Sequence, residues 1–421
     1  MTPLILASAI FVMAYFFIAT EWIPKWVTAI AAGMLVIAFR LVSQEEAFHA
    51  IDFNVIFLLA GMMMIANILG KTGAFQWLAI RTAKLARGDP FLTLALLSIA
   101  TAVVSAFIDN VTTVVLMVPI TLYIASCFNI SPMPFLIAEI IASNIGGTAT
   151  LIGDPPNIMI GSAAGLDFLA FVAHLAPIIA VILLVFLIMA RLVFARQLTV
   201  APEKRLAVCE LSEADVITDT GLLKKSLLVM GLVIIAFIFH GPLGYQPATI
   251  AMLGAAALII ISGQKPQEVL FEVEWPTLFF FMGLFIVVSA VVKAGVIDLL
   301  ADGVLGVTGG SLPPTALALL WFSAAFSGMI DNIPYTATMI PLIKDLGQYM
   351  PILPLWWALS LGACLGGNLT IIGASANVYV GHLAERAGHP ISFVEYLKYG
   401  ALFTFVSIVL AMAYLWVRYL L

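Results

Sequence analysis

The chain has 421 residues, of which 63% are hydrophobic and only 10% charged, against about 45–50% and about 25% in soluble chains. That balance excludes a soluble globular domain. The net charge of −5 is spread over loops without a long single-sign block, which speaks against a nucleic-acid partner. Residues 1–20, 168–190 and 399–417 carry no formal charge and are apolar on every face, the pattern of membrane-crossing helices and not of alternating barrel strands.

In chain order, residues 4–20 lack a basic leader and run into Glu21-Trp22-Ile23-Pro24, so they read as a retained helix and not a signal peptide. Cuts at Pro, Gly and charge clusters predict crossings over 3–20, 26–42, 54–70, 134–163, 169–195, 223–240, 246–262, 275–292, 353–384 and 394–420. The expected fold is an all-α polytopic membrane protein of about ten transmembrane helices. Residues 91–128 and 313–350 are interrupted by Asp109-Asn110 and Asp331-Asn332. Each reads as a re-entrant hairpin whose Asp-Asn tip is buried in protein, where irregular backbone is tolerated.

Of the 18 Lys and Arg residues, this path puts all but Arg40, Lys293, Lys344 and Arg418 on one side, Lys25 and Lys204 among them. By the positive-inside rule that side is cytoplasmic and both termini lie outside. Residues 197–222 become a cytoplasmic linker between a first unit, 1–196, and a second, 223–421. Cys127, Cys209 and Cys364 are too far apart for a paired metal or redox motif. Trp356 and Trp357 read as an interfacial belt, and His174 and His240 as solvated. Glu139, in an apolar run, reads as part of a proton path or as a near-interface residue.

The two units repeat. Asp52 and the apolar run after it reappear 222 residues later behind Glu274, and Asp109-Asn110 and Pro119 recur at the same offset as Asp331-Asn332 and Pro341. NIGGTATLIGDPPN, residues 144–157, recurs 220 residues later as CLGGNLTIIGASAN, residues 364–377. On the predicted path the repeats are inverted, which with discontinuous helices is the signature of secondary transporters.

Glycine-rich polar runs inside apolar segments cannot continue as regular helix without freeing backbone groups that need partners. They therefore mark a binding region. The first run supplies Asn144, Gly147, Thr148, Thr150, Asp154 and Asn157, and the second Gly367, Asn368, Thr370, Ser375 and Asn377. Asp109 and Asp331, at membrane depth, require a proton, a partner or a cation; each can also cap the helical arm that follows it. Ala374 stands where the first run has Asp154, so the half-sites differ in charge.

IDNVTTVVLMVP, IDNIPYTATMIP and the two glycine-rich runs resemble the ion transporter superfamily, in its arsenical pump membrane protein (arsenite permease), P protein and D-type sodium–proton antiporter branch. The resemblance covers essentially the whole chain. It implies a scaffold with a moving transport domain, an elevator-type cycle and a homodimer. By position it assigns ligand contacts to Asp109, Asn110 and Thr112 in the first tip, to Asp331, Asn332 and Thr336 in the second, and to the polar residues of both runs. Pro334 stands where the first tip has Thr112.

Two other classes fit less well. An intramembrane aspartyl enzyme would pair Asp109 with Asp331, but each belongs to its own repeat, and neither precedes a glycine-rich catalytic turn. A channel would need a ring-forming filter sequence. No G-x-x-x-x-G-K phosphate loop occurs, so the chain brings no ATPase, which leaves room for a separate ATPase subunit. The predicted site holds carboxylates and no Lys or Arg, which disfavours a dicarboxylate and suits a cation, a proton or a neutral solute such as arsenous acid. Scattered cysteines suit the release of trivalent arsenic. The expected function is arsenite and antimonite efflux in exchange for protons across a bacterial inner membrane, in contact with lipid. The alternative is sodium/proton antiport or P-protein-like transport of an anion or small solute. No cofactor is expected; the coupling ion is a proton, or sodium near Asp109 and Asn110.

Overall fold

Without water to bind, backbone amides and carbonyls at membrane depth must pair within the chain, so apolar segments become helices wherever Gly and Pro permit. The computed structural model describes residues 2–200, 205, 213 and 215–421. Lys204, Cys209 and the rest of 201–204, 206–212 and 214 in the polar linker lie outside the described residues.

The first half opens with α1 (Pro3–Thr20), α2 (Lys25–Ala38), the short α3 (Gln44–His49) and α4 (Phe53–Gly70). Ser43 and Glu46 form a reciprocal capping box on α3, and Asp52 caps α4. Lys293 and the Ser43 cap together hold the exposed Glu46 carboxyl down at about 2. There follow α5 (Ala74–Leu85), α6 (Pro90–Ser105), α7 (Asn110–Phe128), α8 (Met133–Thr148), α9 (Pro155–Ala164), α10 (Phe168–His174) and α11 (Ala176–Phe194). The second half holds α12 (Thr220–Leu243), α13 (Pro247–Ser262), α14 (Pro266–Phe271), α15 (Trp275–Lys293), α16 (Val296–Thr308), α17 (Leu312–Ile330), α18 (Asn332–Leu346), α19 (Leu353–Gly366), α20 (Ser375–Arg386) and α21 (Phe393–Leu415).

Eight of these helices are long and apolar enough to cross a membrane, or nine if α9 and α10, bent by 115°, count as one. Ten continuous crossings are therefore not what forms. Residues 134–163 and 353–384 are each split by their glycine-rich run, and the helices at 26–42 and 246–262 shorten to 14 and 16 residues. Residues 91–128 and 313–350 are helix pairs meeting at Asp109 and Asp331, and α7 and α17 are each of spanning length.

The halves pack reciprocally. Helix α4 lies on α13 while its repeat partner α15 lies on α2, and α20 lies on α7 while α9 lies on α18. The closest approaches match: a methyl group on Gly61 would fall 2.7 Å from the Ala251 carbonyl carbon, and one on Gly283 would fall 2.4 Å from that of Ala29. Contacts of this i-to-j, j-to-i form are those of a two-fold interface. Small residues let these backbones meet, as they do between membrane helices generally.

At the centre, α8 and α19 are buried along nearly their whole length. That overturns the interfacial reading of Trp356 and Trp357, which are 2% and 0% exposed; Trp357 packs on Phe171 and stacks with His174 at 4.9 Å. His240 is not solvated either. It is buried, with Nε2 accepting from the Phe168 N–H at 3.2 Å and Nδ1 facing the Tyr245 carbonyl at 3.0 Å. Glu139 lies buried inside the protein and accepts from the Thr121 hydroxyl at 2.6 Å.

The close approaches give a direct test. Gly61→Val and Gly283→Val should each destabilise the detergent-solubilised protein by about 1–3 kcal/mol, read as a lower thermal midpoint, while Gly303→Val, with open space around it, should leave that midpoint in place.

Candidate functional site

The site begins with the two helix breaks. Helix α8 stops at Thr148 and α9 starts at Pro155, and α19 stops at Gly366 with α20 starting at Ser375. The freed carbonyls are clamped by one asparagine in each half. Asn157 Nδ2 donates to Thr148 O at 3.1 Å and Thr150 O at 2.9 Å, and Asn377 Nδ2 donates to Gly367 O at 2.7 Å and Thr370 O at 2.9 Å. The Thr150 hydroxyl donates to Ala106 O, and that of Thr370 to Gly328 O at 2.5 Å, tying each break to the helix before its tip. Thr148 donates back to Asn144 O at 2.6 Å.

Asn144 joins the halves. Its Nδ2 donates to Asn368 Oδ1 and Asn377 Oδ1, both at 2.9 Å, and its Oδ1 accepts from Asn110 Nδ2 at 2.9 Å. Across the centre, Asn332 Nδ2 donates to the Asp154 carboxylate at 3.1 and 3.2 Å. Asparagine suits this place because its amide offers donors and an acceptor together.

Both tips and the starts of α9 and α20 close around a cavity of about 20 Å³, lined by Asp109, Asn110, Asp154, Asn332, Ser375, Glu274 and Thr277 with apolar neighbours. Asp109 Oδ1 accepts the Thr112 N–H at 2.9 Å and so caps α7, while Oδ2 is buried without a partner among the described residues. Thr277 donates to Glu274 Oε2 at 3.2 Å. Among the described residues no three of His, Cys, Asp or Glu form a metal cage; the carboxylates border a shared space without converging on one point.

The other tip is built differently. Asp331 has φ 139° and ψ 140°, a strained backbone for a residue with a side chain. Its Oδ1 accepts the Ile333 N–H at 3.0 Å; its Oδ2 accepts from Lys25 Nζ at 2.8 Å and Ser375 Oγ at 3.1 Å. Lys25 also pairs with Glu21 at 3.0 Å. A site free of Lys and Arg is thus corrected: the first residue of α2 reaches in from what reads as an interfacial loop. Lys25, Glu21, Glu274, Ser375 and His382 line an open vestibule of about 330 Å³ beside the cavity.

Of the residues singled out from sequence, Asp109, Asn110, Asp154, Asn332 and Ser375 line the cavity. Asn144, Thr148, Thr150, Asn157, Gly367, Asn368, Thr370 and Asn377 form the clamp behind it, and Gly147 packs against the Gly153 carbonyl. Thr112 contributes its N–H to the cap, while the buried Thr336 hydroxyl has no partner among the described residues. Glu274, Thr277 and Lys25 were missed. Glu274 carried a signal, being the repeat partner of Asp52; Lys25 carried only its place at the start of an apolar run.

Residues 15–362 match the family described as citrate transporter, CitMHS. The chain belongs to this family. It is a membrane transporter of the CitMHS and P protein type, within the ion transporter superfamily. It is 46% identical over 424 residues to an uncharacterized transporter of Mycobacterium tuberculosis, covering 99% of this chain and 98% of that one. The mouse P protein is 32% identical over 506 residues, covering 98% of this chain and 60% of that protein. Two solved structures share the fold: the Alcanivorax borkumensis YdaH transporter (TM-score 0.63, 14% identity, 99% and 98% covered) and Neisseria gonorrhoeae MtrF, of a class of antimetabolite efflux pumps (0.62, 11%, 99% and 95%).

The clamp makes its own prediction. Asn144→Ala strands the groups of Asn110, Asn368 and Asn377 and should destabilise by about 1–3 kcal/mol, the usual penalty for unsatisfied buried groups. Ser375→Ala removes one of the two bonds to Asp331 Oδ2 and leaves the Lys25 ammonium in place, so it should lower the thermal midpoint by less. Equal midpoints for the two variants would remove Asn144 from the centre of the network.

Proposed function

We propose that the protein is a secondary active transporter exchanging sodium for protons, with one small cation bound at Asp109. The observation that carries this reading is the buried, unpartnered Oδ2 of Asp109 on a cavity shared with Asp154 and Glu274. A bare buried carboxylate is costly by several kcal/mol, and a proton or a monovalent cation removes that cost. Three carboxylates around one space cannot all stay charged and empty, so cation and proton compete for the same groups.

Size and charge argue against larger guests. A cavity of about 20 Å³ has room for one water-sized particle, and not for citrate or arsenous acid. Lys25 is the cation a citrate would want, yet its charge is shared between Asp331 and Glu21. Arsenite gains no support from the cysteines: Cys364 is turned to Asn157 Oδ1 at 3.6 Å, and Cys127 sits near the end of α7.

On this reading the halves are inverted across the membrane, both termini lie outside, and the vestibule opens to the cytoplasm.

Proteoliposomes with a trapped pH dye test the proposal. Wild-type protein should move protons when sodium is added, and Asp109→Asn should lower the rate by about tenfold or more, the equivalent of at least ~1.4 kcal/mol of lost cation binding. Sodium-independent proton movement driven by citrate or arsenite, or a wild-type rate in Asp109→Asn, would overturn it.

A further inference from the structure

Asp109 and Asp331 are repeat partners, yet their carboxylates are satisfied in opposite ways. At Asp109 one oxygen caps the helix and the other has no partner among the described residues. At Asp331 one oxygen caps the helix and the other takes both the Lys25 ammonium at 2.8 Å and the Ser375 hydroxyl at 3.1 Å. The Asp331 side chain is 0% exposed and that of Lys25 19%, so the ammonium enters from the vestibule and closes the last open position on the carboxylate. Among the described residues it is the only ion pair with a fully buried member.

The repeat shows that Lys25 is an addition to one half. Helix α13, the counterpart of α2, begins with Gln246 and Pro247, which bring no charge, and Gln246 lines a separate cavity with His240 and Asp167. Among the described residues, the Asp109 half therefore has no internal cation where the Asp331 half has one. The strained backbone at Asp331, against ordinary extended values of φ −53° and ψ 153° at Asp109, is a further difference between the tips.

We propose that Lys25 is a resident cation: its ammonium takes at Asp331 the place that a cation from solution takes at Asp109, so the second half-site binds no coupling ion. The inference deepens the cation-exchange reading and rests on it. It assigns Lys25 the role of a specificity residue that sets how many ions move per cycle. Removing the ammonium leaves the Asp331 charge with only neutral donors, Ser375 and the Ile333 N–H, and able to recruit a monovalent cation, whereas removing both charges together leaves the single site at Asp109 untouched, since a buried pair is better replaced whole than broken.

The experiment measures the sodium dependence and the reversal potential of proton flux in proteoliposomes. Wild type should show a Hill coefficient of about one, and Lys25→Gln should move it toward about two, the ceiling set by the number of sites, with the reversal potential shifted by one extra cation per cycle. Lys25→Arg should keep the wild-type ratio. Lys25→Gln combined with Asp331→Asn should return to the wild-type ratio whatever its rate, and it decides alone if the single variant does not fold. A folded Lys25→Gln protein with unchanged Hill coefficient and reversal potential, or a double variant that loses one cation from the ratio, would overturn the inference. Flux in wild type that ignores sodium would instead defeat the underlying cation-exchange reading.

Discussion

Two helices are interrupted at the centre of the molecule, and every backbone group those interruptions free must find a partner inside the protein. An unpaired amide or carbonyl buried at that depth costs several kcal/mol. The rest of the architecture follows from this demand. Asn157 and Asn377 each hold two freed carbonyls of their own break, Thr150 and Thr370 fasten the breaks to neighbouring helices, and Asn144 bridges the halves. Each break holds its own freed carbonyls, and the two are then joined side chain to side chain through Asn144, Asn368 and Asn377.

That arrangement explains why so few polar residues are left to meet a ligand. Once the asparagines and most of the threonines are engaged in the clamp, the carboxylates left facing the cavity are Asp109 at its tip and Asp154 at the start of α9, joined by Glu274 from α15. The result is a small acidic cavity in a frame whose breaks are tied by hydrogen bonds. A frame of that kind keeps its shape while the guest changes, which suits exchange of one small charged particle for another.

Symmetry in the frame and asymmetry in the charges serve different ends. Matched packing at Gly61 and Gly283, and matched hydroxyl-to-carbonyl bonds from Ser105 to Ser143 and from Ser327 to Ala363, come from the repeat. Asp154 opposite Ala374, and Lys25 opposite an uncharged helix start, break it. The frame repeats the same packing in both halves, while unlike charges make the two half-sites chemically different.

Much was legible from the residues in order. Apolar composition, the repeat, the glycine-rich breaks and the Asp-Asn tips are local or periodic signals, and a carboxylate in an apolar run needs no partner in view to mark a site. Tertiary structure decided the rest. Lys25 meets a residue 306 positions away, and a charge at the edge of an apolar run looks the same whether it snorkels to water or turns inward. Helices apolar on all sides have no polar face to show which way they point, so the burial of Trp357 and His240 depended on which helices surround them. The polar residues of the two breaks divide into clamp and cavity lining only when the halves are placed against each other, because that division is a matter of which hydrogen-bonding atoms are already taken.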